Sequence, residues 1–173
     1  MIPNLPPLVV MGVSGCGKST VGSMLGERLG ILFLDGDDFH PPANKAKMAS
    51  GTPLDDNDRV PWLAEIGAAL ATPGDGAGSR IIACSALKRQ YRDVLRSFAP
   101  DVVFIHLSGE AATISGRLSG RVHEYMPSGL LASQLATLEP LGADEAHLVA
   151  DVRDDPASLV DGIIRQLEVL SPG

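Results

Sequence analysis

The sequence predicts an α/β fold: a parallel five-stranded sheet with helices on both faces. Three observations predict it. Short, nearly continuous apolar runs alternate with longer stretches in which apolar residues recur at helical spacing. Apolar runs of that kind are strands buried on both faces, the condition of a parallel sheet joined by crossover helices. A glycine-rich loop also lies between the first apolar run and the first helical stretch.

The elements follow in order. Leu8–Met11 is the first strand, and Val21, Met24, Leu25 and Leu29 mark a helix over Lys18–Leu29. Ile31–Leu34 is the second strand. A helix over Asp58–Leu70 carries Trp62, Leu63, Ile66 and Leu70 on one face, read as core. The Pro- and Gly-rich stretch from Thr72 to Ser79 is read as a flexible surface connection. Arg80–Cys84 is the third strand, followed by a helix over Leu87–Phe98 with Leu87, Tyr91, Val94, Leu95 and Phe98 in one apolar stripe. Val102–Leu107 is the fourth strand and His147–Val152 the fifth. Between them lie helices over Glu110–Ser119 and Leu130–Glu139, and Pro156–Leu170 closes the chain as a helix. Right-handed crossovers set the loops that follow the strands along one edge, where ligands bind. Two polar inserts interrupt the alternation, about 40–57 and about 121–129, both on that edge. The 173 residues form one domain.

Composition narrows the function classes. A net charge of −7 argues against non-specific nucleic-acid binding, which needs a basic surface. It leaves room for a small anionic substrate in a locally positive pocket. Cys16 and Cys84 are the two cysteines, both read as reduced thiols, so a cytoplasmic setting is expected. No apolar run approaches the ~20 residues that span a bilayer. The first residues carry no basic n-region, so no signal peptide and no membrane partner are expected.

Gly12-Val13-Ser14-Gly15-Cys16-Gly17-Lys18-Ser19 fits G-x-x-x-x-G-K-[ST], between a strand and a helix. Glycines let successive N–H groups converge on one anion, and the helix start adds its positive end. Gly12, Gly15, Cys16, Gly17, Lys18, Ser19 and Thr20 are therefore the nucleotide-phosphate residues. Lys18 reaches the β- and γ-phosphates and Ser19 ligates Mg²⁺. Cys16 is read as a small residue filling a variable loop position. The sharper alternative is a thiol of lowered pKa whose oxidation blocks nucleotide binding.

Asp35-Gly36-Asp37-Asp38-Phe39-His40 directly follows the second strand, so its carboxylates should face the same crevice. Phosphoryl transfer to a hydroxyl needs a group that orients the hydroxyl and one that serves the metal, and Asp35 and Asp37 could divide those roles. Lys88, Arg92 and Arg96 stand at i, i+4, i+8 on a second helix face. Lys88 and Arg92 could meet an anionic substrate, or simply pair with nearby acids. Arg117 and Arg121 lead into the second insert, where arginines on a mobile flap can close over phosphates.

These blocks carry a resemblance to a known family. The phosphate loop, Leu34-Asp35-Gly36-Asp37 with His40-Pro41, Asn44, Lys47-Met48-Ala49-Ser50-Gly51 and Pro53-Leu54 resemble the small gluconate kinases. So do Asp56-Asn57-Asp58-Arg59 with Pro61-Trp62-Leu63, Cys84-Ser85-Ala86-Leu87-Lys88, Tyr91-Arg92-Asp93, Leu138-Glu139-Pro140 and Gly142-Ala143-Asp144-Glu145. The resemblance spans nearly the whole chain. It implies ATP-dependent phosphorylation of D-gluconate at its 6-hydroxyl. It also implies a P-loop kinase fold of the nucleoside-monophosphate-kinase type, assembled as a homodimer. The first insert would be a substrate-side cap and the second a lid. Carried over, Lys18 and Ser19 serve ATP and Mg²⁺, with Asp35 as the other metal candidate. Asp35, Asp37, His40, Arg59, Lys88 and Arg92 line the gluconate side, and Arg117 and Arg121 are lid arginines. Lys18, Asp35, Asp37 and Arg121 form the expected catalytic set. The lid departs from many relatives: Arg121-Val122-His123-Glu124-Tyr125-Met126-Pro127 stands for Arg-Lys-Gly-His-Phe-Met-Pro, with Glu124 in the usual histidine slot. The rival readings are a related kinase acting on shikimate or a nucleoside monophosphate, and a non-catalytic nucleotide-binding regulator. A GTPase is disfavoured, because Asn44-Lys45-Ala46-Lys47 lacks the closing aspartate of the guanine-reading motif.

Overall fold

The computed structural model describes residues 2, 4–13, 15–72, 79–110, 113–114 and 128–170. Strands β1 (Leu8–Met11), β2 (Leu32–Asp35), β3 (Arg80–Ala83), β4 (Val103–Ser108) and β5 (His147–Asp151) form one sheet in the order β2-β3-β1-β4-β5. Every pairing is parallel. Leu8 is opposite Ile81 on one side and Val103 on the other, which centres β1. Described helices are α1 (Lys18–Leu29), α2 (Pro42–Ala49), α3 (Asp56–Ala71), α4 (Arg89–Phe98), α5 (Ser128–Thr137) and α6 (Pro156–Leu170).

The two-residue period of β1 divides the core. Leu8 and Val10 join α1 and α6 through Val21, Leu25, Leu159, Val160 and Ile163. Val9 and Met11 join α3 and α4 through Trp62, Leu63, Ile66, Tyr91 and Leu95. Alternate side chains of one buried strand thus anchor helices on opposite faces. β1 connects across β3 to β2, whereas β3 connects across β1 to β4. The loops after β1 and β3 therefore part and leave a crevice at the carboxyl ends of the strands.

The first polar insert contains a helix that the sequence reading did not assign. It holds α2, preceded by a 3-10 turn over Gly36–Phe39. Pro42 opens α2 at a position where a missing N–H costs nothing. Asn44 and Lys47 tie α2 to α3: Asn44 Nδ2 donates to the Asp58 carbonyl at 2.9 Å, and Lys47 Nζ lies 2.8 Å from Asp58 Oδ2. α3 starts two residues before the expected Asp58 because Asp55 caps it. Asp58 N–H donates to Asp55 Oδ1 at 2.7 Å, and Asp55 N–H returns to Asp58 Oδ2 at 3.0 Å. The connection at 73–78, most of the helix expected over Glu110–Ser119, and the lid segment 121–127 lie outside the described residues.

Candidate active site

The loop between β1 and α1 is held open by glycines in conformations that side chains avoid. Gly12, Gly15 and Gly17 have φ of 149°, 83° and 97°. A Cβ at Gly12 would stand 2.8 Å from Cys16 Sγ and 2.9 Å from the Leu107 carbonyl oxygen. Gly17 leads into α1 with no side-chain cap, so the first-turn N–H groups of α1 remain available to an anion. Lys18 Nζ donates to the carbonyls of Gly12 and Val13, both at 3.0 Å, and so lies across the loop it serves.

Beside this loop, β2 delivers the acidic pair. Ser19 Oγ donates to Asp35 Oδ2 at 3.1 Å, and Asp37 N–H donates to Asp35 Oδ1 at 3.0 Å. The turn between the two aspartates passes so close to β3 that a Cβ on Gly36 would stand 2.3 Å from the Ala83 carbonyl oxygen. A glycine there lets both carboxylates reach the crevice. Gly15, Gly17, Lys18, Ser19, Thr20, Asp35, Asp37, His40, Arg59 and Trp62 line one cleft of about 620 Å³.

His40 is buried against the ring of Trp62, with centroids 4.2 Å apart and planes 13° from parallel. Trp62 Nε1 donates to the Gly36 carbonyl at 2.7 Å, which fixes the indole. His40 Nδ1 lies 3.2 Å from Asn44 Nδ2. Because Asn44 Nδ2 also faces the Asp58 carbonyl oxygen, it must be the amide nitrogen, so His40 Nδ1 accepts and the ring proton sits on Nε2. Burial lowers the His40 pKa below its ordinary value. Asp37 opposes that shift, and Arg59 and Lys45 reinforce it. The cleft therefore combines an anion-binding loop, two carboxylates, a neutral imidazole and a guanidinium: the parts for moving a phosphoryl group onto a hydroxyl.

Known proteins resemble this chain in sequence and fold. A family profile described as Shikimate kinase matches residues 14–168. The gluconokinase of Gluconobacter oxydans (strain 621H) is 43% identical over 161 residues, covering 93% of this chain and 90% of that protein. The thermoresistant gluconokinase of Escherichia coli (strain K12) is 42% identical over 167 residues, covering 95% and 93%. A crystal structure of a gluconokinase from Sinorhizobium meliloti 1021 superposes with a TM-score of 0.89 at 42% identity, covering 98% of this chain and 95% of that one. The chain belongs to the gluconokinases, within the shikimate kinase family of P-loop kinases. A shikimate kinase from Acinetobacter baumannii, at 19% identity and a TM-score of 0.63, shares the fold.

Other residues expected at the site of this gluconokinase-family chain fall elsewhere. Arg92 does not reach the cleft. It is 0% exposed, with Nε 2.8 Å from Oε2 of the equally buried Glu145. Its remaining N–H groups donate to the carbonyls of Ala86 at 2.9 Å, Leu87 at 3.2 Å, Glu139 at 3.0 Å and Pro140 at 3.5 Å. The basic face of α4 clasps the segment after α5 rather than a ligand, so Arg92 is a structural arginine. Lys88 also stops short of the lining, with Nζ 3.1 Å from Asp56 Oδ1. The Cys16 side chain is 0% exposed, which places the thiol in the core and removes the ground for a redox-sensitive loop. Burial pushes the Cys84 thiol up to about 12, so it stays protonated. Arg117, Arg121, His123 and Glu124 lie outside the described residues. Trp62, expected only in the core, is also a wall of the cleft. The neighbouring Asp35-Gly36-Asp37 turn was the available signal, since an indole N–H needs a buried acceptor.

Proposed function

We propose that the chain transfers the γ-phosphoryl group of ATP to the 6-hydroxyl of D-gluconate, giving 6-phospho-D-gluconate and ADP. The observation that carries this reading is the meeting of Lys18, Ser19, Asp35, Asp37, His40 and Arg59 in one cleft. The chain that builds it is 42–43% identical to gluconokinases over nearly its full length. Lys18 exchanges the Gly12 and Val13 carbonyls for the β- and γ-phosphates, and the loop N–H groups bind the other phosphate oxygens. Ser19 Oγ and Asp35 Oδ2, 3.1 Å apart, are hard oxygen donors of the kind Mg²⁺ takes, and these two residues would hold it. When bound, Mg²⁺ neutralises charge on the phosphates.

Asp35 is already engaged by Ser19 and by the Asp37 backbone. The roles of the two carboxylates therefore divide: Asp35 supports the metal, and Asp37 orients the attacking hydroxyl and takes its proton. His40, fixed as an Nε2–H donor, suits a sugar hydroxyl, and Arg59 suits the carboxylate. Arg117 and Arg121 would complete the site from the lid. The same reading makes the enzyme a homodimer, an expectation that rests on the family resemblance, in the cytoplasm, an expectation that rests on Cys16 and Cys84 as reduced thiols. No described helix is long and apolar enough to cross a membrane. The test is the product: incubation with Mg-ATP and D-gluconate should yield a species heavier by one phosphoryl group, with the phosphorus coupled to the C6 protons. An unmodified acceptor, or phosphorus at another carbon, would refute the assignment.

A further inference from the structure

Among the described residues that line the cleft, the cations are Lys18 and Arg59. Lys18 belongs to the phosphate loop. Arg59, in the first turn of α3, is held in an unusual way. Its Nη1 donates to Tyr91 Oη at 3.2 Å, and its Cζ stands 5.6 Å from the centroid of the Tyr91 ring. The carboxylates of its own helix turn are engaged elsewhere: Asp58 with Lys47 at 2.8 Å and Asp56 with Lys88 at 3.1 Å. The group that orients Arg59 is thus a neutral phenol, which directs a guanidinium without cancelling its charge.

The phenol is itself fixed. Tyr91 Oη donates its proton to Asp56 Oδ1 at 2.5 Å, so the oxygen lone pairs are left for Arg59. Hydrogen bonds from Tyr91 and then Lys88 hold the Asp56 carboxyl at about 2, so this acceptor stays ionised at any working pH. Lys88 adds a second cation over the same ring, 5.6 Å from its centroid. Lys88, Asp56, Tyr91 and Arg59 form a chain that ends at the cleft, and its only member lining the cleft is Arg59.

We propose that Tyr91 is a positioning residue that aims Arg59 at the carboxylate of the acceptor, and that Asp56 and Lys88 serve Tyr91 rather than the substrate. The inference rests on the gluconate reading. Gluconate carries its carboxylate at the carbon farthest from the reacting hydroxyl. Contacts made there are equally strong in the ground and transition states, so their loss raises KM and spares kcat. Among the described residues the Arg59 guanidinium makes one hydrogen bond, leaving most of its planar fork for a carboxylate. Losing the phenolic oxygen leaves Arg59 charged but unaimed.

The test is steady-state kinetics of Tyr91→Phe, which keeps the buried ring. KM for D-gluconate should rise about tenfold, while kcat and KM for ATP stay within about twofold. Arg59→Lys should raise the same KM, and the double variant should be no worse than the worse single one, because both remove one coupled contact. A gluconate KM within twofold of the parent in Tyr91→Phe, a matching fall in kcat, or fully additive losses would overturn the inference. Parental turnover of another carboxylate acceptor instead of D-gluconate, with the same selective KM loss in Tyr91→Phe, would refute the gluconate reading and keep the anchor. Parental turnover of D-gluconate with no KM change in the variant would do the reverse.

Discussion

Replacing Arg92 by Met separates a structural arginine from a substrate-binding one. The side chain has no exposed surface and bonds to Glu145 and to the carbonyls of Ala86, Leu87, Glu139 and Pro140. Methionine fills similar volume but donates nothing. Buried acceptors then lose their donor, at about 1–3 kcal/mol each where water cannot replace it. Glu145 keeps two weaker partners, Arg89 at 3.5 Å and Arg96 at 3.4 Å, so its charge is only partly stranded. Breaking such a buried pair costs about 3–5 kcal/mol. For a chain of this size that corresponds to a fall in Tm of roughly 6–20 °C. Urea unfolding followed by circular dichroism measures the loss directly, through the midpoint at constant slope. The gluconate KM of the folded variant at low temperature should stay near the parental value. Parental stability combined with a gluconate KM raised tenfold or more would return Arg92 to the substrate.

Four further outcomes follow from the same geometry. Lys18→Ala should lower kcat by at least about 10²–10³-fold with the fold intact by circular dichroism, because a preorganised charge on the transferring group is lost; near-parental turnover would remove the loop from the mechanism. Gly36→Ala should destabilise by about 1–3 kcal/mol and depress kcat, since its Cβ would force the Asp35–Asp37 turn away from β3; parental melting would contradict the contact. The pKa of His40 is lowered on folding, so the unfolded chain binds the extra proton. Stability should therefore fall as pH drops through the ordinary histidine value and level off below the folded one. Asn44→Leu takes away the donor that occupies Nδ1, so the neutral His40 ring should lose its fixed Nε2–H tautomer, read from the ring 15N shifts; unchanged shifts would show that Asn44 does not set the tautomer.

Local signals told most where local physics decides. The bounds of β1, α1 and α6 were legible from apolar runs, helical period and the glycine loop before α1. The crevice was legible too, because a strand, a glycine loop and a second strand followed directly by Asp35 leave the sheet little choice. α2 was not: its sequence is polar, and its place depends on Asn44 and Lys47 reaching Asp58 across the turn into α3. Arg92 was misplaced for a similar reason. Its helical spacing from Lys88 was right, but the face it shares is claimed by Glu145, 53 residues away, which no local period reveals. Trp62 was read as core from helical spacing, and its ring is buried. Its second role depends on His40 stacking against it.

The most direct test of the central claim is ADP release from Mg-ATP with purified protein, measured in parallel against D-gluconate, shikimate and nucleoside monophosphates. Saturable turnover with D-gluconate is expected, at a kcat/KM far above that of any other acceptor. Selective turnover of another acceptor, or ATP binding with no acceptor-stimulated ADP release, would contradict it.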